Sequence, residues 1–258
     1  MNFFSGFQPA WQSLFLEHDP SLIEWTTVCA SQLVGFLLPG LIFFMLDLLQ
    51  PAWAQPWRKP PQFPTHLKLW KMVRCSTRNM LTGWVLHGLY LWWAYPRTLF
   101  VVDSQLPTWK EAVRQYIGVF LLGEGLFYVF HRMMHENRWL YLKIHSIHHG
   151  TGVAPTGMSV WYGHVVDHLV FNGLPLALVT LVPAIVLQAH ILVVEALSVL
   201  ALLSGVISHS GYYYRDKTVY DHWAHHENPS KNLGAYAMMD LLFNSYTGQS
   251  CCFIYDVY

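Results

Sequence analysis

Charge is what this chain has least of. Only 12% of its 258 residues are Asp, Glu, Lys or Arg, against about 25% in a soluble domain, so half the usual solvating surface is missing. No surplus of either sign exists: 15 Lys and Arg balance 15 Asp and Glu, which leaves no positive field to hold a nucleic acid. The four cysteines (Cys29, Cys75, Cys251, Cys252) lack the paired spacing of a disulfide framework or a zinc knuckle. Adjacent Cys251 and Cys252 read as interfacial residues. No Lys or Arg precedes Arg58, so the positive start of a cleavable signal is not expected. No repeat of fixed period is present.

What fills the chain is apolar side chain and imidazole. Hydrophobic residues make up 53% and aromatics 16%, and the mean hydropathy is +0.28. That excludes disorder and is more than a small soluble fold can hide. The 15 histidines equal all the acids together.

A bilayer core takes about 20 mostly apolar residues per helix. Residues 26–48 and 80–102 qualify, and 113–130 make a shorter third span. The apolar stretch 169–208 is twice the length of one span and predicts a hairpin of two, bent near Pro183 and Gln188. The expected fold class is therefore an all-α integral membrane protein with about five transmembrane helices. Prolines 51, 56, 60, 61 and 64, with Trp53 and Trp57, predict an irregular interfacial linker after the first span. Twelve of the fifteen basic residues fall in segments that five spans put on one side, which the positive-inside rule makes the cytosol.

Histidine concentrates on that side as a helical cap. HRMMH places His131 and His135 at i, i+4, and the same helical stripe carries Glu124 and Tyr128. HSIHH supplies His145, His148 and His149, and HWAHH supplies His222, His225 and His226, the first histidine of each sharing a face with the other two. Between them lie HVVDH, with His164, Asp167 and His168, and HSGYY, with His209 and Tyr213. Chance would produce two such pentads on the order of once in a thousand chains or less. Imidazole suits Fe, Zn, Cu and Ni, and eight histidines in three boxes exceed the four ligands of one tetrahedral zinc, so two metals are the economical reading. Glu124, Asp167, Asp221 and Glu227 are candidates to orient ligand rings by accepting their second N–H, and Glu124 stands out as an acid inside an apolar span. The lone histidines His18, His66, His87 and His190 read as packing or interface residues. His168 is expected on a helix surface.

The order HRMMH, HSIHH, HWAHH resembles the fatty acid hydroxylase/sterol desaturase superfamily of integral-membrane di-iron enzymes. EGLFYVFHRMMH is similar to the approach to that family's first box and LKIHSIHH to its second. MSVWYGHVVDH resembles its His-Pro-x-Glu/Asp element, with Val165 in place of the proline. SHSGY, and DHWAHHENPSKNLGAYAMMDLLFNSYTG after it, place the chain nearest the sterol C4-methyl oxidase and cholesterol 25-hydroxylase branch.

The resemblance implies an N-terminal region over 1–112, of membrane spans and linker, and a di-iron catalytic domain over 113–258. It implies metal ligands at His131, His135, His145, His148, His149, His222, His225 and His226, a ninth at His209, and His164 as a ligand or a residue behind the ligands. Glu124 and Asp167 are its candidate catalytic acids. It further implies two Fe ions, replaceable by zinc in preparations, and O₂ as oxidant. Electrons would come from NAD(P)H through a b-type cytochrome and its reductase. The partners expected are an apolar small-molecule substrate and membrane lipids, in the endoplasmic reticulum with the site facing the cytosol.

Two outcomes of the chemistry stay open, hydroxylation and desaturation, because both begin with hydrogen abstraction. A distant alternative is a non-redox zinc-binding membrane protein. Against a carrier stands the clustering of histidines on one side, where a pathway would thread them through the spans.

Overall fold

A computed structural model describes residues 6–58, 63–150, 155–173, 189–212 and 217–247. Among these residues every regular element is helical, and the only β contacts are isolated bridges between Arg58 and Tyr212 and between Val101 and His190. The hairpin expected over 169–208 opens with a π turn at Leu169–Gly173, whereas the rest of its first arm and its bend at Pro183 and Gln188 lie outside the described residues, as do Tyr213, Cys251 and Cys252.

Local signals start the helices. After α1 (Gln8–Glu17), Asp19 Oδ1 accepts from the amides of Ser21 and Leu22 at 2.9 and 3.1 Å, and Pro20 opens α2 (Pro20–Leu49). A π-helical stretch at Leu33–Leu37 interrupts α2 without ending it. Thr65 caps α3 (His66–Ala94). Thr108 and Glu111 form a reciprocal capping box at the start of α4 (Trp109–Glu136). Short turns follow: Arg138–Leu140, a π turn at Tyr141–His145, α5 (Ser146–His149) and α6 (Val165–His168). His190 Nδ1 accepts from the Leu192 amide to start α7 (Ile191–His209), and α8 (Lys217–Glu227) and α9 (Met238–Leu242) complete the order.

Among the described residues three helices, α2, α4 and α7, are long and apolar enough to cross a membrane. They contain the spans expected at 26–48 and 113–130 and the second arm of the hairpin. The span expected at 80–102 is not among them. Its helix begins at His66, so Lys68, Lys71, Arg74 and Arg78 lie in the first turns of α3 and not in the linker, and it ends at Ala94, two residues before Pro96. Proline disfavours helix in the residue before it and cannot continue one, which leaves 95–102 irregular. Exposed Val34, Leu38, Ile42 and Met45 on α2 and Val85, Leu89, Trp92 and Trp93 on α3 present apolar surface where a soluble fold would present charge.

Two clusters hold the helices together. Phe36, Phe43, Leu69, Met158, Trp161, Val206 and Tyr212 join α2, α3, α7 and the 3₁₀ turn Gly157–Trp161, with the Phe36 and Trp161 rings 4.0 Å apart. Trp11, Val28, Phe100, Val119 and Val194 join α1, α2, α4 and α7. A fully buried ion pair ties the linker to the site end of the molecule. Arg58 Nη1 donates to Asp47 Oδ1 at 2.6 Å and to Ser210 O at 3.2 Å, just past the end of α7, while Nη2 donates to Pro155 O at 2.9 Å. Ser210 follows His209, so this guanidinium fixes the backbone beside a predicted ligand.

Candidate metal centre

Nine histidines from four parts of the chain converge at one end of the bundle. His131 and His135 come from the last turns of α4, His145, His148 and His149 from the π turn and α5, His209 from the end of α7, and His222, His225 and His226 from α8. They sort into two groups: His131, His135, His145, His149 and His225, and His148, His209, His222 and His226. Within each group the ligand atoms all lie within 4.8 Å of one another. The groups abut, with the His149 and His226 rings 4.5 Å apart.

The division cuts across the sequence boxes. His145 and His149 enter the first group and His148 the second; His222 and His226 enter the second and His225 the first. Neighbouring residues on a helix are about 100° apart, so the last two histidines of each pentad point to different sides. One turn of chain thereby serves two sites, whereas the sequence reading placed all three histidines on a single face.

Hydrogen bonds behind the rings fix which nitrogen faces inward. Nδ1–H donates to a backbone carbonyl in His131 (Leu233 O, 2.6 Å), His148 (Tyr162 O, 3.1 Å), His209 (Gly205 O, 2.8 Å) and His225 (Lys231 O, 2.8 Å). In His145 the acceptor is Asp167 Oδ1, at 3.0 Å. A carbonyl or ionised carboxylate only accepts, so these five rings carry their proton on Nδ1 and present a bare Nε2 lone pair. The His148 and His209 Nε2 atoms then face each other at 3.3 Å with no proton between them. In the first group the buried Nε2 atoms of His145 and His225 have no hydrogen-bond partner among the described residues. Buried lone pairs so arranged call for a cation, and a neutral all-nitrogen donor set fits a borderline transition metal better than Mg²⁺ or Ca²⁺. The first group's five nitrogens exceed a tetrahedral zinc shell.

Burial keeps these imidazoles neutral. It pushes His148 down to about 4, assisted by the neighbouring His145. His149, His222, His225 and His226 lie well below the ordinary imidazole range, from burial first and then from mutual proximity. Metal would therefore displace few protons at neutral pH.

The acids divide by role. Asp167 meets a ligand ring directly. Gly163 makes room for it, since a Cβ there would lie 2.9 Å from Asp167 Oδ2. Glu124 is engaged by backbone: its carboxylate accepts from the amides of Ala235 and Tyr236, both at 3.2 Å. Asp240, on α9, accepts from the Leu233 and Gly234 amides at 2.7 Å each. Together Glu124 and Asp240 pin the 231–236 segment, which delivers Lys231 O to His225 and Leu233 O to His131. Gly234 is required here because a Cβ would stand 2.9 Å from both carboxylates. Glu227 is exposed and Asp221 buried, and the Asn232 side chain donates to the Asp221 backbone carbonyl. Sequence reasoning gave Asp240 no role, because its partners are backbone amides that no side-chain motif reveals.

His164 lies outside both groups; its Nδ1 accepts from the Val166 amide and caps α6. His168 is not on a helix surface. It lines a cavity of about 210 Å³ bordered by His131, His145, His148, His209 and His222 and walled by residues such as Phe127, Trp161, Phe171 and Leu202.

The fatty acid hydroxylase family profile matches residues 116–245, a little over half the chain and the whole of the histidine centre. The chain belongs to the fatty acid hydroxylase family. That family comprises oxidoreductases. The chain is 30% identical to methylsterol monooxygenase 2-2 of Arabidopsis thaliana over 55% of its own length and 52% of the plant protein. It is 28% identical to a very-long-chain aldehyde decarbonylase of Oryza sativa subsp. indica, over 81% of this chain and 76% of the rice protein. To methylsterol monooxygenase 1 of Danio rerio it is 25% identical, over 93% of this chain and 83% of the fish protein. The chain thus spans about half of one of these relatives and more than two thirds of the other two. No solved structure matches it.

Proposed function

We propose that this protein is a membrane di-iron oxygenase that hydroxylates an unactivated C–H of a lipid-like, sterol or terpenoid molecule. The observation that carries the reading is the pairing of two adjacent imidazole groups, their Nε2 atoms turned inward, with an apolar cavity on their border. His131, His135, His145, His149 and His225 would hold one ion and His148, His209, His222 and His226 the other. Bound iron supplies O₂ activation, with electrons relayed from NAD(P)H through a b-type cytochrome and its reductase.

The chain supplies everything else. Carbonyls 162, 205, 231 and 233 and the Asp167 carboxylate hold the ligand rings in one tautomer and orientation. Phe127, Trp161, Phe171 and Leu202 exclude water from the reacting carbon. A cavity of about 210 Å³ slightly exceeds the ~150 Å³ that takes a benzene ring, so it receives the reacting end of a lipid while the remainder lies in the bilayer. Basic residues gathered between the spans support a cytosol-facing site on the endoplasmic reticulum membrane.

Microsomes containing the protein, given reductant, are expected to consume O₂ and to return lipid products heavier by one oxygen, dependent on iron. Loss of two hydrogens without gain of oxygen would instead identify a desaturase. Bound zinc with no O₂ consumption would leave a non-redox metal protein. H148A or H225A retaining full activity would overturn the proposal.

A further inference from the structure

Six histidines line the cavity, and five of them belong to the two metal-binding groups. The sixth is His168. Its Nδ1 is buried without a hydrogen-bond partner among the described residues, a state that costs free energy unless something else supplies the bond. The ring is held firmly: it stands edge-on to Trp161 at 4.9 Å, and Trp161 packs on Phe36. Gly83 of α3 packs beside it, and a Cβ there would meet His168 Nε2 at 3.6 Å, an ordinary contact distance. Burial pushes the ring down to about 4, so at neutral pH it is uncharged and offers one N–H and one lone pair.

Several polar groups on the wall are already engaged. Ser208 Oγ donates to Gly205 O at 2.9 Å, Tyr236 pairs with Ser204, and Asp167 holds His145. Outside the two histidine groups, His168 is a wall side chain with a buried nitrogen left unpaired among the described residues, one residue along the turn from the acid that orients the His145 ring.

We infer that His168 registers the substrate by hydrogen-bonding an oxygen, hydroxyl or carbonyl, carried by an otherwise apolar molecule whose reacting carbon then lies against the histidine centre. The inference rests on the oxygenase reading and narrows its substrate class to oxygen-bearing lipids. An unsubstituted hydrocarbon would leave the His168 nitrogen unpaired and lose position as well as affinity.

Equilibrium binding to the full-length, metal-loaded protein in detergent tests this without turnover. Two matched pairs serve as probes: a methylsterol with and without its hydroxyl, and a long-chain primary alcohol with its alkane. In at least one pair the wild-type protein is expected to prefer the oxygenated member by about tenfold or more. H168F should bring that ratio to within about twofold of unity with metal content unchanged. H168Q, which keeps a hydrogen-bonding side chain, should retain most of the preference and decides the matter if H168F loses metal. No preference in the wild type for either pair, a preference surviving in H168F, or its loss in H168Q overturns the inference. Failure of the oxygenase reading is a separate result, read from absent O₂-dependent oxidation by the wild type.

Discussion

Asp167 shows how much of this site depends on single atoms behind the ligands. Its Oδ1 accepts the Nδ1 proton of His145 at 3.0 Å, which turns the His145 Nε2 lone pair into the five-histidine group. Removing such a partner costs about 10–100-fold in metal affinity in comparable sites. D167N keeps the volume but presents a weaker acceptor, and it is expected to lower metal retention within that range. The deficit should fall on the first group only, because none of the second group's rings bonds to Asp167. Metal content after competition with a graded chelator measures both. At this scale the sequence exposed the clustered histidines but not their supports. His131 and His135 stood out because i, i+4 spacing puts two side chains on one helical face, whereas Leu233 O and Lys231 O are backbone atoms brought up by a segment about a hundred residues further on or by a local turn. Glu124 was noticed for its place in an apolar span, but its partners are the Ala235 and Tyr236 amides, so it acts on the centre through the segment that supports His131 and His225.

Among the elements, the linker carries more than its irregular composition implies. Arg58 leaves it to enter the bundle, pairs with Asp47 of α2, and bonds to the backbone at Ser210 and Pro155. Both side chains are fully buried, so removing one leaves the other charge without compensation, at a cost of about 3–5 kcal/mol. R58M and D47L are each expected to lower the midpoint of thermal unfolding strongly, and the double variant should recover most of the loss. A melt in which the double variant is no better than the singles would contradict this coupling. The positions of the apolar helices α2, α4 and α7 followed from hydropathy, though α2 and α4 run longer than their apolar cores. The α3 boundary did not, because composition over 80–102 could not weigh Pro96 against the apolar residues on either side of it. Each His-x-x-His-His pentad is divided by the step of about 100° between its last two histidines, which is local, but the group each ring enters depends on where α5 and α8 dock, and spacing does not encode that.

For the whole molecule, the low charge and the high histidine content have one physical explanation. Apolar side chains build the spans and wall the cavity, and burial in that environment holds the imidazoles neutral. His148, pushed down to about 4 from 6.5, binds its proton more readily unfolded than folded. Its contribution to stability is therefore full above about pH 6.5 and is lost as pH falls toward 4, and the other depressed histidines add to the same trend. Metal-free protein in detergent should accordingly melt at progressively lower temperature through that window, and loaded protein should release metal there as protons compete for Nε2. Little change in melting temperature between pH 7 and pH 5 would contradict the neutral centre. The account rests finally on two metal sites of unequal composition built from nine histidines. Elemental analysis of the protein purified from iron-supplemented cells tests that most directly: about two equivalents of iron per chain are expected, and a single equivalent, or none with the histidines intact, would contradict it.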